Sequence, residues 1–176
     1  MGQKPRKLAT EDELYAAALR ALMRRAHSVH EMRLALERRA EDKSSVRCIL
    51  ARLKQEKLLD DARYARQFAR YHAESRRRGR FRIARELRAR GVPDRHIRPA
   101  LDEVFAELDE ATLVRQRLAR RLRHLSGTLD DRKLASLYRS LLRAGFSSDV
   151  VRRELRALTE MDFEDEPQNQ RDTELD

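Results

Sequence analysis

One cysteine, no tryptophan, five glycines and four prolines are spread over 176 residues, and each scarcity excludes something. Cys48 alone rules out an internal disulfide and a cysteine-based zinc cluster. It falls on an apolar helical face, so the expectation is a buried filler and not a reactive thiol. So few glycines leave little backbone from which to build a phosphate-cradling loop, and no such loop is present. Nowhere do β-branched residues alternate as a strand requires. No apolar run approaches the roughly 20 residues that span a bilayer. The N-terminus lacks a signal-peptide core. Met1-Gly2 opens like a myristoylation site, but Arg6 stands where Ser or Thr is needed. These absences predict a cytoplasmic protein with no membrane contact.

Catalytic and metal chemistry are equally thin. His27 and His30 lie three residues apart without a third ligand, and His72, His96 and His124 are isolated, so no metal is expected. Asp60-Asp61 lacks further ligands for a cation and is better placed to cap the next helix. No nucleophile has a paired base and no carboxylate pair marks a cleft. The chain is expected to be no enzyme and to need no cofactor.

Positive charge, by contrast, is abundant. The formal net is +10. Eight acids in the last eighteen residues stand against Arg171 alone, so that stretch carries −7 and the preceding 158 residues carry +17. A body that basic favours a polyanion: nucleic acid, an acidic protein surface or an anionic membrane. Arginine also outnumbers lysine 34 to 6, which an Arg-rich genome would explain without any function.

The densest run is Arg76, Arg77, Arg78, Arg80, Arg82, Arg85, Arg88 and Arg90. Guanidinium forks pair with phosphate or carboxylate through two parallel hydrogen bonds, so this run is a candidate binding face. With Ile83 and Leu87 packed inward, most of these arginines should face outward. A second cluster holds Arg115, Arg117, Arg120, Arg121 and Arg123, part of which could pair with Glu107, Asp109 and Glu110. Of these, Arg120, Arg121 and Arg123 join the candidate face. Tyr64, Phe68, Tyr71 and Phe81 interleave with the basic residues and could stack on bases. Their helical spacing argues instead for a core.

Apolar residues recur with a helical period almost throughout, and the fold class is all-α. Leu14, Ala18 and Leu22 form one stripe; Val46, Ile49, Leu50 and Leu53 another; Ile97, Leu101, Val104, Phe105 and Leu108 a third. Val114, Leu118, Leu122 and Leu125, then Leu134, Leu137, Tyr138 and Leu141, continue the pattern. Thr10 with Glu13 and Ser28 with Glu31 fit capping boxes. Gly79, Gly91, Gly127 and Gly145 fall between stripes, where a helix end calls for positive φ. Pro99 is awkward, and its helix should either start near His96 or bend.

Overlaying the stripes exposes a repeat. Leu87, Gly91, Ile97 and Leu101 match Leu141, Gly145, Val151 and Leu155 at an offset of 54; shifted back by 51 they match Leu36, Ala40, Val46 and Leu50. The pattern predicts three tandem three-helix repeats stacked into an elongated, curved array. The expected divisions are a flexible N-terminus over 1–10, repeats over 11–59, 60–108 and 109–158, and a disordered acidic tail over 159–176.

Several segments resemble the RecX family. Leu58-Leu59-Asp60-Asp61-Ala62-Arg63-Tyr64-Ala65 is similar to the family signature at the first repeat junction. Gly79, Ile83, Glu86, Leu87 and Gly91 resemble its second motif. Arg24-Arg25-Ala26-His27-Ser28, Glu31, Arg33 and Leu36 resemble the opening repeat, and Arg143-Ala144-Gly145-Phe146 the third. The resemblance spans about residues 12 to 158, and departs where Ala40 takes the place of the usual glycine. It implies a non-catalytic protein that binds RecA and lies in the groove of the RecA–single-stranded DNA filament. There it would restrain ATP hydrolysis, filament extension and strand exchange in recombination and DNA repair, including the SOS response, although in some bacteria the family's effect on recombination is positive. The residues alone leave two alternatives: a sequence-independent nucleic-acid binder acting without RecA, or a helical adaptor for another acidic protein. The absence of a long heptad seam makes monomer the default. The acidic tail could fold back over the basic face.

Overall fold

The computed structural model describes residues 7–125 and 129–164, with side chains to Glu160. Among the described residues there are nine helices and no strand. The first three are α1 (Glu11–Arg24), α2 (Val29–Glu37) and α3 (Lys43–Gln55); next come α4 (Asp61–Glu74), α5 (Arg80–Ala89) and α6 (Asp94–Glu107). The last three are α7 (Glu110–Leu122), α8 (Asp131–Arg143) and α9 (Ser148–Glu164). Each triplet is one helix followed by a pair of helices joined by a short turn. No described helix is long and apolar enough to cross a membrane.

Local sequence sets the starts. Thr10 and Ser28 form complete capping boxes with Glu13 and Glu31, each side chain taking a backbone N–H that the first helical turn leaves free. Asp60 caps α4 by accepting from the N–H groups of Ala62 and Arg63. Those bonds hold its carboxyl below the ordinary carboxylate range. Asp42, Asp109 and Asp130 cap α3, α7 and α8 in the same way.

The apolar side chains of the repeat turn inward. Leu36, Ala40, Val46 and Leu50 are buried in the first triplet, Leu87, Ile97 and Leu101 in the second, and Leu141, Val151 and Leu155 in the third. Yet the triplets do not share one interior. The first encloses its own cluster from Leu8 to Leu59, whereas the second and third enclose one continuous cluster from Tyr64 to Leu155.

Two glycines explain that fusion. The N–H of Gly79 donates to the Ala144 carbonyl at 2.9 Å, and that of Phe81 to the Gly145 carbonyl at 3.0 Å. The unpaired start of α5 is thus satisfied by the unpaired end of α8. A Cβ on Gly79 would sit 2.2 Å from the carbonyl carbon of Gly145. Gly79 is therefore required by close approach, not by the positive φ expected for it, since its φ is −76°. Gly145, at φ +90°, and Gly91, at +70°, are left-handed as expected. Gly127 lies outside the described residues.

Other expectations are corrected. Cys48 is exposed, because its stripe turns Val46, Ile49 and Leu50 inward and leaves it on the opposite flank. Tyr71 and Phe81 are exposed at 50% and 61% and are not core, although Tyr64 is buried and Phe68 half-buried. The helix carrying Pro99 starts at Asp94 and runs through the proline, earlier than a start near His96. So close to the N-terminus, the missing N–H deprives only the Arg95 carbonyl of its partner. Leu8, within the stretch expected to be flexible, is buried and exchanges backbone hydrogen bonds with Arg39 and Glu41. Helix α9 continues to Glu164, beyond the expected repeat end at 158. The remainder of the acidic tail lies outside the described residues.

Candidate protein- and nucleic-acid-binding surface

The arginines of the second repeat divide into paired and unpaired groups. Arg78 and Arg82 both grip Glu86, and Arg78 also meets the His72 ring. Burial favours the neutral acid at Glu86, but the hydrogen bond from Arg82 and the charge of Arg78 outweigh it and lower its pKa. Arg80 reaches Asp102 at 2.6 Å and Arg88 reaches Asp94 at 2.7 Å. Arg90 lies over the Phe68 ring and near Glu31. Arg77 donates to the Gln116 side chain, and its own carbonyl accepts from Arg117. Most of the expected outward face is therefore tied down within the second repeat, and only Arg77 and Arg82 also reach the third. Apart from Arg82–Glu86 at i, i+4, sequence spacing did not reveal these contacts, because the fold and not helical neighbourhood brings the partners together.

The unpaired group is smaller. Arg85, Arg120, Arg121, Arg123 and Arg143 make no side-chain ion pair among the described residues. Among the described residues Arg76 meets only the Tyr71 ring, with its guanidinium 5.9 Å from the ring centre. Arg115 was expected to pair locally, and does so with Asp109, but it also reaches the buried Glu154 at 3.0 Å. Glu107 pairs instead with Arg70 across α4 and α6, and Glu110 accepts from the Ser147 N–H.

Two concave features result. Where α5 meets the end of α8, Phe81, Arg82, Arg85, Leu142, Arg143 and Gly145 line an open depression of about 360 Å³. Phe81 and Leu142 are exposed there, and among the described residues no carboxylate lines it. An apolar spot ringed by arginine suits an apolar side chain flanked by acids. The second lies between the first and second repeats, about 470 Å³, walled by Tyr64, Phe68 and Tyr71 with Arg25, Glu31 and Arg90.

That second groove rests on a polar junction that sequence reading saw only as caps. Buried Ser28 donates its hydroxyl to the Arg90 carbonyl at 2.6 Å, and Asp61 accepts from the Val29 N–H at 2.9 Å. Glu31 accepts from Arg25, from the Ser28 N–H and from the Tyr64 hydroxyl. Burial opposes its charge, but these donors prevail and lower its pKa. Burial, then the charge of Glu31, pushes the Tyr64 hydroxyl up to about 12. The ring of His30 fills the space that a Cβ on Gly91 would need.

Comparison with known proteins agrees with this architecture. The family model described as the second three-helix domain of RecX matches residues 60–101. Regulatory protein RecX of Halorhodospira halophila is 38% identical over 155 residues, covering 88% of this chain and 93% of that protein. Its counterpart from Treponema pallidum is 34% identical, covering 84% and 87%. The crystal structure of RecX from Lactobacillus salivarius superposes with a TM-score of 0.72, covering 85% of this chain and 97% of that one, at 23% identity. A second RecX crystal structure gives 0.71 at 25% identity, covering 81% and 71%. With its helical triplets, its ordered motifs and relatives of this length and identity, the chain belongs to the RecX family of regulatory proteins.

Proposed function

We propose that this protein binds RecA and the RecA–single-stranded DNA filament as a monomer, without catalysis of its own or a cofactor. It lowers RecA's ATP hydrolysis, filament extension and strand exchange. Family membership supports a regulatory role, and the family's name points to RecA. The observation that carries the contact is the depression at the second repeat junction. There Phe81 and Leu142 are exposed beside Arg85 and Arg143, which have no counter-charge among the described residues. Exposed apolar side chains inside a cationic rim complement an apolar anchor flanked by acids on a protein partner.

The test is co-sedimentation with RecA filaments. Phe81→Ala combined with Arg85→Glu should weaken binding at least tenfold while leaving helical content unchanged. Undiminished binding by this variant would refute the placement. The reading as a nucleic-acid binder acting without RecA is favoured by one observation, the unpaired Arg120, Arg121 and Arg123 on α7 and just beyond it. It predicts that added RecA does not alter the protein's association with DNA.

A further inference from the structure

The third repeat holds a cleft that the protein-binding depression does not use. Between α7 and α8, a concavity of about 260 Å³ is lined by Arg117, Arg120, Arg121, His124 and Ser140 over a floor of Leu118, Leu137 and Leu141. Its cationic wall comes from the last turns of one helix and the turn that follows. Arg117, Arg120 and Arg121 stand at i, i+3 and i+4 of α7 and so share a face, and His124 follows in the turn just past the helix end. Among the described residues no carboxylate lines the cleft. Arg120 and Arg121 make no ion pair among the described residues, and Arg117 donates only to the Arg77 carbonyl, at 3.3 Å. Arg117 is half-buried, and its pKa is lowered by that burial and then by the charges of Arg82, Arg121 and Arg78. A solvated arginine stripe could spread its charges apart; here they converge on a hollow.

We propose that the α7–α8 cleft seats the sugar-phosphate backbone of single-stranded nucleic acid, with a phosphodiester held by Arg117, Arg120 and Arg121. A phosphodiester fits better than a carboxylate for two reasons. Its tetrahedral oxygens accept donors from several directions, as three guanidiniums, an imidazole and the Ser140 hydroxyl would offer. Its neighbour along the chain is an apolar sugar, which the leucine floor matches. The inference extends the RecA-filament reading by giving the third repeat a nucleic-acid role and leaving the second junction to protein.

The experiment is fluorescence anisotropy of the full chain on a labelled oligothymidylate at a series of salt concentrations, without RecA. Each phosphate contact on a single strand contributes about 0.7 to the slope of log affinity against log salt. Arg120→Gln with Arg121→Gln, both exposed and unpaired, should lower that slope by roughly 1.4 and leave the melting temperature unchanged. Arg20→Gln with Arg47→Gln, on the first repeat, should leave it near the wild-type value. An unchanged slope in the cleft variant, or an equal loss in the first-repeat variant, overturns the proposal. So does a cleft variant that keeps its DNA slope but loses filament binding, which would assign the cleft to an acidic protein. A lost slope with filament binding retained supports it. A wild-type protein that ignores RecA but passes the salt test refutes the RecA reading alone.

Discussion

At Gly79 a missing Cβ lets two backbones touch, and the consequence is measurable. Gly79→Ala must push α5 away from the Ala144–Gly145 carbonyls, so it should cost about 1–3 kcal/mol or more, as overpacking does. Urea denaturation would show this, and a cost within a few tenths would contradict the close approach. Glu31 and Tyr64 make opposite pH predictions. Glu31 is acidified on folding, so its contribution is present above the ordinary carboxylate range and is lost as pH falls through its lowered folded pKa. Tyr64 is raised to about 12, so its contribution is present below pH 10, its ordinary value, and is lost between about 10 and 12. Tyr64→Phe should therefore flatten the alkaline limb of a stability–pH curve and also shrink the acid limb, because Glu31 loses one of the donors that lower its pKa. An alkaline limb identical to wild type would contradict the raised pKa. The sequence announced Ser28, Glu31 and Asp60 correctly as caps, because capping depends on neighbours within four residues. It could not announce that Ser28 reaches Arg90, 62 residues on, or that Asp61 reaches back to Val29.

At the level of helices, apolar spacing alone showed which residues face inward at the repeated apolar positions. It was less informative for aromatics. Tyr64 and Phe68 turn in and stack at 6.0 Å, whereas Tyr71 completes the same spacing yet stays exposed at the rim of a groove. The spacing also placed Cys48 on an apolar face, but a helix stripe is narrower than the pattern suggested. Arginine fates were illegible for a different reason: Arg80 and Asp102 meet only because α5 and α6 fold onto one another. The separate first core carries its own prediction. Hydrogen exchange should find α1–α3 opening as one group, with lower protection than α4–α9, because a largely polar seam joins them. Asp61→Ala should lower protection in α1–α3 more than in α7–α9. Uniform protection across all nine helices would contradict the division.

Over the whole molecule, the repeat pattern made the serial arrangement of triplets legible, but not the fusion of the second and third. That fusion depends on Gly79 meeting Gly145, two residues 66 apart that sequence reading assigned to turns. It builds a rigid platform of six helices whose surface carries both the Phe81–Arg85 depression and the α7–α8 cleft. The first repeat is joined to it through the Ser28, Glu31 and Asp61 contacts. Part of the positive charge is thus matched by ion pairs, most of them within a repeat, and only part faces outward unmatched. Salt should accordingly weaken partner binding more than it weakens folding, since exposed unpaired cations are screened most. The central claim, regulation of RecA, is tested most directly by the rate of RecA ATP hydrolysis on single-stranded DNA with this protein added well below stoichiometry. The account predicts a clear fall in rate at ratios far too low to cover the DNA. An unchanged rate until the protein saturates the DNA would contradict it.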